Sequence, residues 1–373
     1  MRIAIMLRAY DRPGGIGIYA RNIVRALLNI DKTNHYFLLH NNPEHVGNYS
    51  QLDNVDEIHI PGGNPVIWDQ WKVPARIKGL NIDLLLNTKF SVPISGNYKK
   101  IMVLHGSSWY AHPELYGKFD IFYVKIAMPI YCRKSDFLIS NSDLTTRDFK
   151  RYLGIEEDKI KTVNLAAGDE FQPVDDHAEL ARIRTVYDLP DRFILTVTSH
   201  DPRKNFGTLT KAIERVRESI DIDMVVVGKD CDKYIADYDL EPRLLADHFH
   251  FPGWIDQADL PGIYSLAEAF AFPSVYEEFG IPVVEAISCG CPVAASNTAA
   301  IPDLLGDAAL LCDPFDSEQL ALNLTRIIED DSFRHSLVER GLKRAEGFSW
   351  LKTARETLSV IETVGQSQSQ AQR

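Results

Sequence analysis

The sequence predicts an α/β fold made of two domains, each with a parallel sheet flanked by helices. Short apolar runs alternate with longer segments whose apolar residues recur at helical spacing, as in Arg2–Leu7 followed by Gly17–Ile30. The alternation stops over Gly168–Asp191 and restarts at Phe193–Thr198. A chain of 373 residues is long enough for two domains of ordinary size.

In the first half, buried strands are predicted wherever a short apolar run is bounded by polar or turn-forming residues. The helix predicted over Asp143–Leu153 should end at Gly154, because glycine readily takes the left-handed conformation that closes a helix. The predicted strands are Arg2–Leu7, Tyr36–His40, Glu57–Ile60, Leu84–Asn87, Lys100–His105 and Phe137–Ser140.

The interdomain connection is placed within Gly168–Asp191, which contains two prolines and an acidic pair. Beyond it, Leu209, Ile213, Val216 and Ile220 share one helical face and should be core. The predicted elements of the second half are the strands Phe193–Thr198, Met224–Val227, Phe249–Phe251, Glu268–Phe272 and Val293–Ala295, an amphipathic segment Ser317–Glu329, a terminal helix Ser349–Val364 and a polar, frayed tail Gln366–Arg373.

Composition excludes several classes of protein. The net charge of −12 argues against general nucleic-acid binding, which needs clustered cations. No apolar run is long enough to span a bilayer, and Met1–Leu7 leads directly into a folded pattern, so we expect a cytoplasmic protein without a signal peptide. The five cysteines include no Cys-x-x-Cys pair, which predicts buried free thiols and no zinc site.

A glycine-rich segment follows the first strand. Gly15 to Ala20 matches the G-x-G-x-x-G/A pattern of dinucleotide-binding enzymes, but Arg8–Gly14 separates it from the strand, and the second strand ends in His40-Asn41-Asn42 without the acidic residue that holds a ribose. NAD binding is therefore disfavoured. Gly15 and Gly17 instead suit close approach of an anion or a sugar to the start of a helix, and a glycine-rich turn without a ligand remains the alternative.

The most informative segment is Phe272–Ala286, in which seven residues separate Glu277 from Glu285. Because proline is tolerated in the first turn of a helix and not in its interior, Pro282 predicts a helix that begins near Ile281. Glu277 then lies in the preceding loop and Glu285 in the first turn. The opening of the helix offers free N–H groups to a phosphate, and the carboxylates suit sugar hydroxyls; for Glu278 an exposed surface charge is expected.

Basic residues follow the strand Phe193–Thr198. Arg203 and Lys204 stand at its carboxyl end, where parallel sheets bind their ligands. In isolation such a pair indicates only surface charge. Together with the two carboxylates and the helix start downstream, it predicts a site for a diphosphate.

These segments together resemble the retaining glycosyltransferases of family GT4, which have the GT-B fold. Glu277 through Glu285 match the E-x7-E motif of that family, Pro202–Asn205 match its P-R-K-N element, and Gly14–Gly17 match its glycine-rich loop. The likeness extends over nearly the whole chain, including Phe348-Ser349-Trp350 at the start of the last helix. It implies two Rossmann-like domains facing across a cleft, with the C-terminal helix crossing back to the first.

The resemblance implies a division of the chain into three parts. Residues 1–170 would form the Rossmann-like domain that binds the acceptor, residues 171–348 the Rossmann-like domain that binds a nucleotide sugar, and residues 349–373 the crossing helix and tail. Peripheral membrane contact through the first domain is left open, because the basic and aromatic residues of Tyr98–Lys100 and Lys118–Lys134 fit a solvated surface equally well.

The resemblance also implies roles for single residues. Glu277 would hold the hydroxyls of the donor sugar, Arg203 and Lys204 would clamp its diphosphate, and His105 would contact the sugar near the reacting carbon. The remaining donor contacts would come from Glu285 (ribose), from Phe279, Gly280 and Ile281 (backbone amides), from Gly15 and Gly17, and from Trp254 and Ile255 (base). Many relatives carry Gly-Arg before the P-R-K-N element, where this chain has Thr198-Ser199, so Arg203 must compensate or donor affinity must be lower.

The implied reaction is hexosyl transfer with retention, without a metal or other cofactor. Lys204, Arg203 and the helix opening would stabilise charge on the leaving nucleoside diphosphate. The Asp-x-Asp pairs Asp221/Asp223, Asp230/Asp232 and Asp237/Asp239 lie beside a strand or in a polar loop, which argues against a metal role.

The donor is expected to be a UDP-hexose such as UDP-glucose, with GDP-mannose second, and the acceptor a glycan or lipid-linked sugar in polysaccharide assembly. Two rival functions remain. One is a different GT-B enzyme, such as a sugar-nucleotide epimerase or a phosphorylase, and the other is a non-catalytic sugar-nucleotide-binding protein.

Overall fold

The computed structural model describes residues 1–12, 14–229 and 248–371. The chain divides into two compact units. The first unit contains Met1–Leu165 together with Trp350–Arg373, and the second contains Ala166–Ser349.

The first unit is built on a parallel sheet of seven strands in the order β3-β2-β1-β4-β5-β6-β7. The order reverses between β1 and β4, which pair with Met6 opposite Asn87. Apart from the outer β3 and β7, the strands are apolar on both faces, as expected where helices cover both sides of a parallel sheet. The strands are β1 Arg2–Met6, β2 His35–His40, β3 Val55–His59, β4 Leu84–Asn87, β5 Lys99–Leu104, β6 Phe137–Ser140 and β7 Ile160–Thr162.

The helices of the first unit connect successive strands. Among them, α6 starts at a Ser142 cap that accepts from the N–H of Thr145, and it ends at Gly154 in the left-handed conformation. The helices are α1 Gly15–Ile30, α2 Pro65–Ile67 continuing through a π turn Trp68–Lys72 into α3 Val73–Ile77, α4 Ser108–Ala111, α5 Lys118–Lys134 and α6 Asp143–Leu153, and the last helix of the chain, Trp350–Ala371, packs on α1.

The second unit repeats this design with a parallel sheet of six strands in the order β10-β9-β8-β11-β12-β13. Here the order reverses between β8 and β11, where Ala269 lies opposite Ile194. The strands are β8 Phe193–Val197, β9 Asp223–Val227, β10 Phe249–Gly253, β11 Ala269–Phe272, β12 Val293–Ser296 and β13 Ala309–Cys312.

Helices of the second unit cover both faces of its sheet. The face predicted from Leu209, Ile213 and Val216 is buried, and Ile220 is buried just beyond the helix end. Numbered in chain order within the described residues, the helices are α7 His177–Val186, α8 Phe206–Arg217, α9 Leu260–Leu266, α10 Ile281–Ser288, α11 Ile301–Leu305, α12 Ser317–Glu329 and α13 Asp331–Ala345, with Trp350–Ala371 of the first unit as α14.

The predicted strands are all present with ends shifted by at most two residues, and the α/β class is confirmed. The segment Gly168–Asp191 is not a plain connection, because it contains α7, whose Ile183 is buried. The last helix continues to Ala371, beyond the end predicted at Val364. The sequence analysis did not predict the strands β7 and β13, and it did not predict the helices α2 to α5, α7, α9, α11 and α13.

Two predictions from composition concern the described residues. Cys132, Cys289, Cys291 and Cys312 are buried free thiols, and Cys231 lies outside the described residues. None of the described helices combines the length and the apolar character that crossing a bilayer would require.

Candidate functional site

The second sheet presents polar side chains where its strand order reverses. Arg203 and Lys204 lie in a 3-10 turn, Pro202–Lys204, after β8, and Glu277 lies in the loop after β11. Strands β8 and β11 are neighbours, so these loops leave the carboxyl edge of the sheet side by side. Such a reversal point opens a crevice and is where open α/β sheets bind ligands.

The two loops are joined by a salt bridge. Lys204 Nζ lies 2.6 Å from Glu277 Oε1, and both side chains are mostly buried, with exposed fractions of 18% and 13%. The Lys204 ammonium also lies 5.2 Å from the ring centre of Phe272. A backbone bond from the N–H of Val275 to the carbonyl of Arg203, 2.8 Å long, fixes the spacing of the loops. The structure therefore brings together the predicted cation and the predicted sugar-binding carboxylate.

Arg203 has carboxylate partners of its own. Its guanidinium donates to Asp201, with Nη2 2.7 Å from Oδ2, and Nη1 lies 3.7 Å from Glu278 Oε1. Although burial would raise it, the Arg203 hydrogen bonds hold the pKa of Asp201 below its usual value. Glu278, expected as an exposed surface charge, is half-buried beside Arg203, so that expectation is wrong.

The helix after this loop begins at Ile281 with Pro282 in its first turn, as Pro282 predicts. Gly280 precedes it in the left-handed conformation, with φ of 101°, and an added Cβ there would lie 2.9 Å from Ile301 Cδ1. Within the described parts of the chain, the N–H groups of Phe279, Gly280 and Ile281 donate no hydrogen bond. The start of α10 thus offers unpaired donors at a positive helix end.

Glu285 occupies a different position from the one expected. It lies in the second turn of α10 and is 6% exposed. Tyr264 on α9 donates its hydroxyl to Glu285 Oε2 at 3.0 Å. Burial raises the pKa of Glu285 to about 7, and this hydrogen bond opposes the rise only in part. The predicted first-turn position is wrong, because the helix begins four residues before Glu285.

The segment predicted to line the base has one exposed and one buried side chain. The Trp254 indole is 73% exposed, whereas Ile255 is 6% exposed. Gly253, which ends β10, has a φ of 76°. An exposed indole at a strand end presents a flat apolar face that suits a nucleobase.

In the first unit, the glycine-rich segment forms the start of α1. Gly14 is its N-cap, with φ of 81° and no capping side chain. Gly17 packs against the preceding loop so closely that an added Cβ would lie 1.8 Å from the carbonyl oxygen of Arg12. Gly15 is the first residue of the helix. The turn therefore requires glycine at position 17 for steric reasons.

His105 follows β5 at the carboxyl edge of the first sheet and is 9% exposed. Its Nε2 lies 2.8 Å from the carbonyl oxygen of Thr88, so Nε2 donates and Nδ1 is the unprotonated nitrogen. The rings of Tyr19 and Phe90 pack edge-on against it. Burial lowers the pKa of His105 to about 4, so the imidazole is neutral at physiological pH.

The Asp-x-Asp pairs contribute no metal cluster within the described residues. Asp221 is exposed, and Asp223 is engaged by Arg217, His248 and His250 at 2.9 to 3.1 Å. Asp230/Asp232 and Asp237/Asp239 lie outside the described residues.

Three further residues, two in the second unit and one in the first, were not assigned a role from the sequence. Asp201 could have been found as the cap of the Asp-Pro turn that carries Arg203. No pattern in the sequence near Tyr264 points to its role, because its partner Glu285 lies on another helix. Lys89 follows β4 as a single cation, and only the pairing of β1 with β4 shows that it lies near Arg8.

Comparisons with known proteins bear on the family and on the fold. Residues 179–344 match the family model of the glycosyl transferases of group 1. O-antigen chain mannosyltransferase B of Escherichia coli is 27% identical over 268 residues, which cover 71% of this chain and 70% of that protein. The serotype-specific mannosyltransferase WbdA of the same organism is 28% identical over 59% of this chain, but the alignment covers only 28% of that longer protein.

Among solved structures, sucrose-phosphate synthase from Thermosynechococcus elongatus superposes with a TM-score of 0.79 at 20% identity, covering 98% of this chain and all of that one. The fold is the GT-B fold that the sequence resemblance implied. The family match over residues 179–344 and the shared fold lead to one conclusion: the second unit is similar to the group 1 glycosyltransferases, and the chain has the GT-B fold.

Proposed function

We propose that the protein transfers a hexosyl group, with retention of anomeric configuration and without a metal, from a nucleoside-diphosphate sugar to a glycan or lipid-linked acceptor. The observation that carries the proposal is the Lys204–Glu277 salt bridge beside the open start of α10. It places a cation, a carboxylate and unpaired amides within one loop cluster at the reversal point of the second sheet.

In this proposal the diphosphate binds between the Pro202–Lys204 turn and the start of α10. Charge grows on its oxygens as the glycosidic bond breaks, and preformed donors stabilise that charge without reorganisation. Lys204 and the amides of Gly280 and Ile281 supply such donors. Both cations are paired with carboxylates in the structure, so donor hydroxyls must take over Glu277 while Lys204 turns to the phosphate.

The remaining contacts are proposed from position. Glu285 would accept from the ribose hydroxyls and Trp254 would stack on the base. In the first unit, Gly15 and Gly17 would allow close approach to the donor, and neutral His105 would contact the sugar near the reacting carbon. Burial and neutrality support this role for His105, because an uncharged imidazole is a hydrogen-bonding group and not a competing cation.

For the donor, the relatives change the order of preference. The curated relatives described above are mannosyltransferases, so GDP-mannose becomes the first candidate and UDP-glucose the second. An epimerase, a phosphorylase or a non-catalytic binding protein finds no support in these relatives.

The test is a thermal-shift screen of GDP-mannose, UDP-glucose, GDP and UDP, followed by assays with the donor that stabilises the protein. A chelator should leave turnover unchanged, and proton NMR of the product should give the anomeric configuration of the donor. If no nucleotide sugar changes the melting temperature, the proposed donor site is wrong. If the product has the inverted anomeric configuration, the proposed stereochemistry is wrong.

Membrane contact through the first unit is a second proposal, supported by the surface of α5. Phe119 and Phe122 are 82% and 63% exposed, and Ile126 continues the same apolar face. Lys118, Lys125, Arg133 and Lys134 are exposed on the same helix. Exposed aromatic residues interspersed with lysine are typical of helices that lie on an anionic membrane surface. Such a surface would bring a lipid-linked acceptor to the protein.

A further inference from the structure

The first sheet carries a group of cations at its own reversal point. Arg8 lies two residues beyond the end of β1, and Lys89 lies two residues beyond the end of β4. Because Met6 is opposite Asn87, the two chains leave the carboxyl edge side by side. The hydroxyl of Thr88 donates to the carbonyl of Met6 at 2.9 Å and ties the two strand ends together.

The surroundings of Lys89 are mainly cationic. Burial lowers the pKa of Lys89 to about 8, and the nearby charges of Arg12 and Arg8 lower it as well; Asp69 is the opposing carboxylate. Asp69 is committed elsewhere, since its oxygens accept from Arg8 at 3.1 and 3.2 Å and from Ser91 at 2.6 Å. Across the described ranges, the side chains of Lys89 and Arg12 make no salt bridge and no hydrogen bond.

The start of α1 adds donors to this edge. Arg12 belongs to the loop against which Gly17 packs, so that loop lies at the first turn of the helix. The first turn has no acidic residue and no capping side chain. Within the part of the chain that is described, the N–H groups of Gly15 and Ile16 make no hydrogen bond. A 16-residue helix therefore directs its positive end toward the same loop.

A partly buried lysine that feels the charges of two arginines destabilises the folded protein, because like charges repel and burial removes water from the ammonium. An anion at this edge would be attracted by all three cations and would offset the cost of removing water from the ammonium. We propose that the edge between β1 and β4, lined by Arg8, Arg12 and Lys89, binds a phosphate or diphosphate group of the acceptor. This inference rests on the proposed glycosyl transfer and names the chemical class of its second substrate.

Each sheet then binds one anion at its reversal point. The second unit binds the donor diphosphate with Arg203 and Lys204, and the first unit binds the acceptor phosphate with Arg8, Arg12 and Lys89. Two kinds of acceptor would carry such a group: a small sugar phosphate or a prenyl-linked diphosphate.

The experiment titrates two probes, glucose 6-phosphate and geranyl diphosphate, into the full chain saturated with the nucleoside diphosphate that gives the larger thermal shift. Calorimetry should detect binding of at least one probe to the wild type, and the tighter probe indicates the source. Lys89→Met should weaken that binding roughly tenfold to a hundredfold, the usual loss for one charged hydrogen-bond partner. Lys89→Arg should restore most of it.

The matched control is Lys78→Met, which removes the same charge from an exposed lysine before β4, at the amino edge of the sheet. Lys78→Met should leave the affinity for both probes unchanged. Binding of neither probe, or equal effects of Lys78→Met and Lys89→Met, would overturn the inference. So would a loss of nucleotide affinity in Lys89→Met, since the cluster would then belong to the donor. Failure of the proposed function gives a different result. In that case no nucleotide changes the melting temperature, whether or not the two probes bind.

Discussion

Lys204 Nζ and Glu277 Oε1 lie 2.6 Å apart and join the turn after β8 to the loop before α10. Neither residue is near the other in sequence, and both depend on neighbouring strands for their proximity. The pair holds the Lys204 ammonium beside the start of α10 before any ligand arrives. Such preorganisation lowers the cost of stabilising charge during the reaction.

Lys204→Ala is therefore expected to abolish the thermal shift by the donor nucleotide and to lower turnover by roughly a hundredfold to a thousandfold, as for loss of one preorganised donor. Glu277→Gln should retain nucleotide binding but lose turnover, because it disturbs the sugar and not the diphosphate. Lys211→Ala, on the exposed face of α8, is the control and should behave like the wild type. Unchanged nucleotide shifts in Lys204→Ala would contradict the site.

Donor affinity should depend on pH through Glu285. Its pKa is raised to about 7, so the carboxyl is protonated at pH 6 and ionised at pH 8.5. The ionised form accepts from ribose hydroxyls, and nucleotide affinity should rise as the pH passes through 7. Glu285→Gln should remove this dependence; a wild-type affinity that does not change between pH 6 and 8.5 would argue against ribose contact.

The raised pKa of Glu285 also predicts how the stability of the protein depends on pH. Between the unfolded pKa near 4.5 and the folded value near 7, the folded protein binds more protons, so stability falls as pH rises across this window. The loss should be on the order of 2–3 kcal/mol. Chemical denaturation of the ligand-free protein at pH 5 and pH 8 measures it, with Glu285→Gln, which keeps an acceptor for Tyr264, as the variant that lacks the drop.

Much of this fold could be predicted from the sequence, because buried parallel strands such as Leu84–Asn87 are short apolar runs with clear ends. The start of α10 was predictable from Pro282 alone. Helix α5 was not, since Pro129 lies within it and apolar residues occur on its exposed face as well as its buried one. Contacts between distant elements could not be predicted, because local patterns do not encode them. The contact of Glu285 with Tyr264 depends on the packing of two helices, and the closeness of Lys89 to Arg8 depends on strand order.

Gly17→Ala should disrupt the turn that opens α1. Its Cβ would meet the carbonyl oxygen of Arg12, a backbone atom that moves only with the loop. Overpacking of this kind costs about 1–3 kcal/mol, which corresponds to a fall in Tm of about 2–4 °C per kcal/mol in a unit of this size. Gly63→Ala, where an added Cβ meets no atom within 4 Å, should leave Tm unchanged. Equal melting temperatures for the two variants would refute the steric requirement.

Membrane binding through α5 predicts that the full chain cosediments with vesicles containing anionic phosphatidylglycerol and not with neutral phosphatidylcholine vesicles at the same salt. Burial of a phenylalanine side chain contributes about 1.5–3 kcal/mol, so Phe119→Ser with Phe122→Ser should lower the partition coefficient by at least tenfold. Phe315→Ser is the control for any exposed phenylalanine, because Phe315 is 70% exposed on the second unit. If it reduces sedimentation as much as the α5 variant does, general apolar adhesion explains the binding. If only the α5 variant does, and transfer to a water-soluble acceptor is unaffected in it, this helix acts in reaching the lipid-linked acceptor.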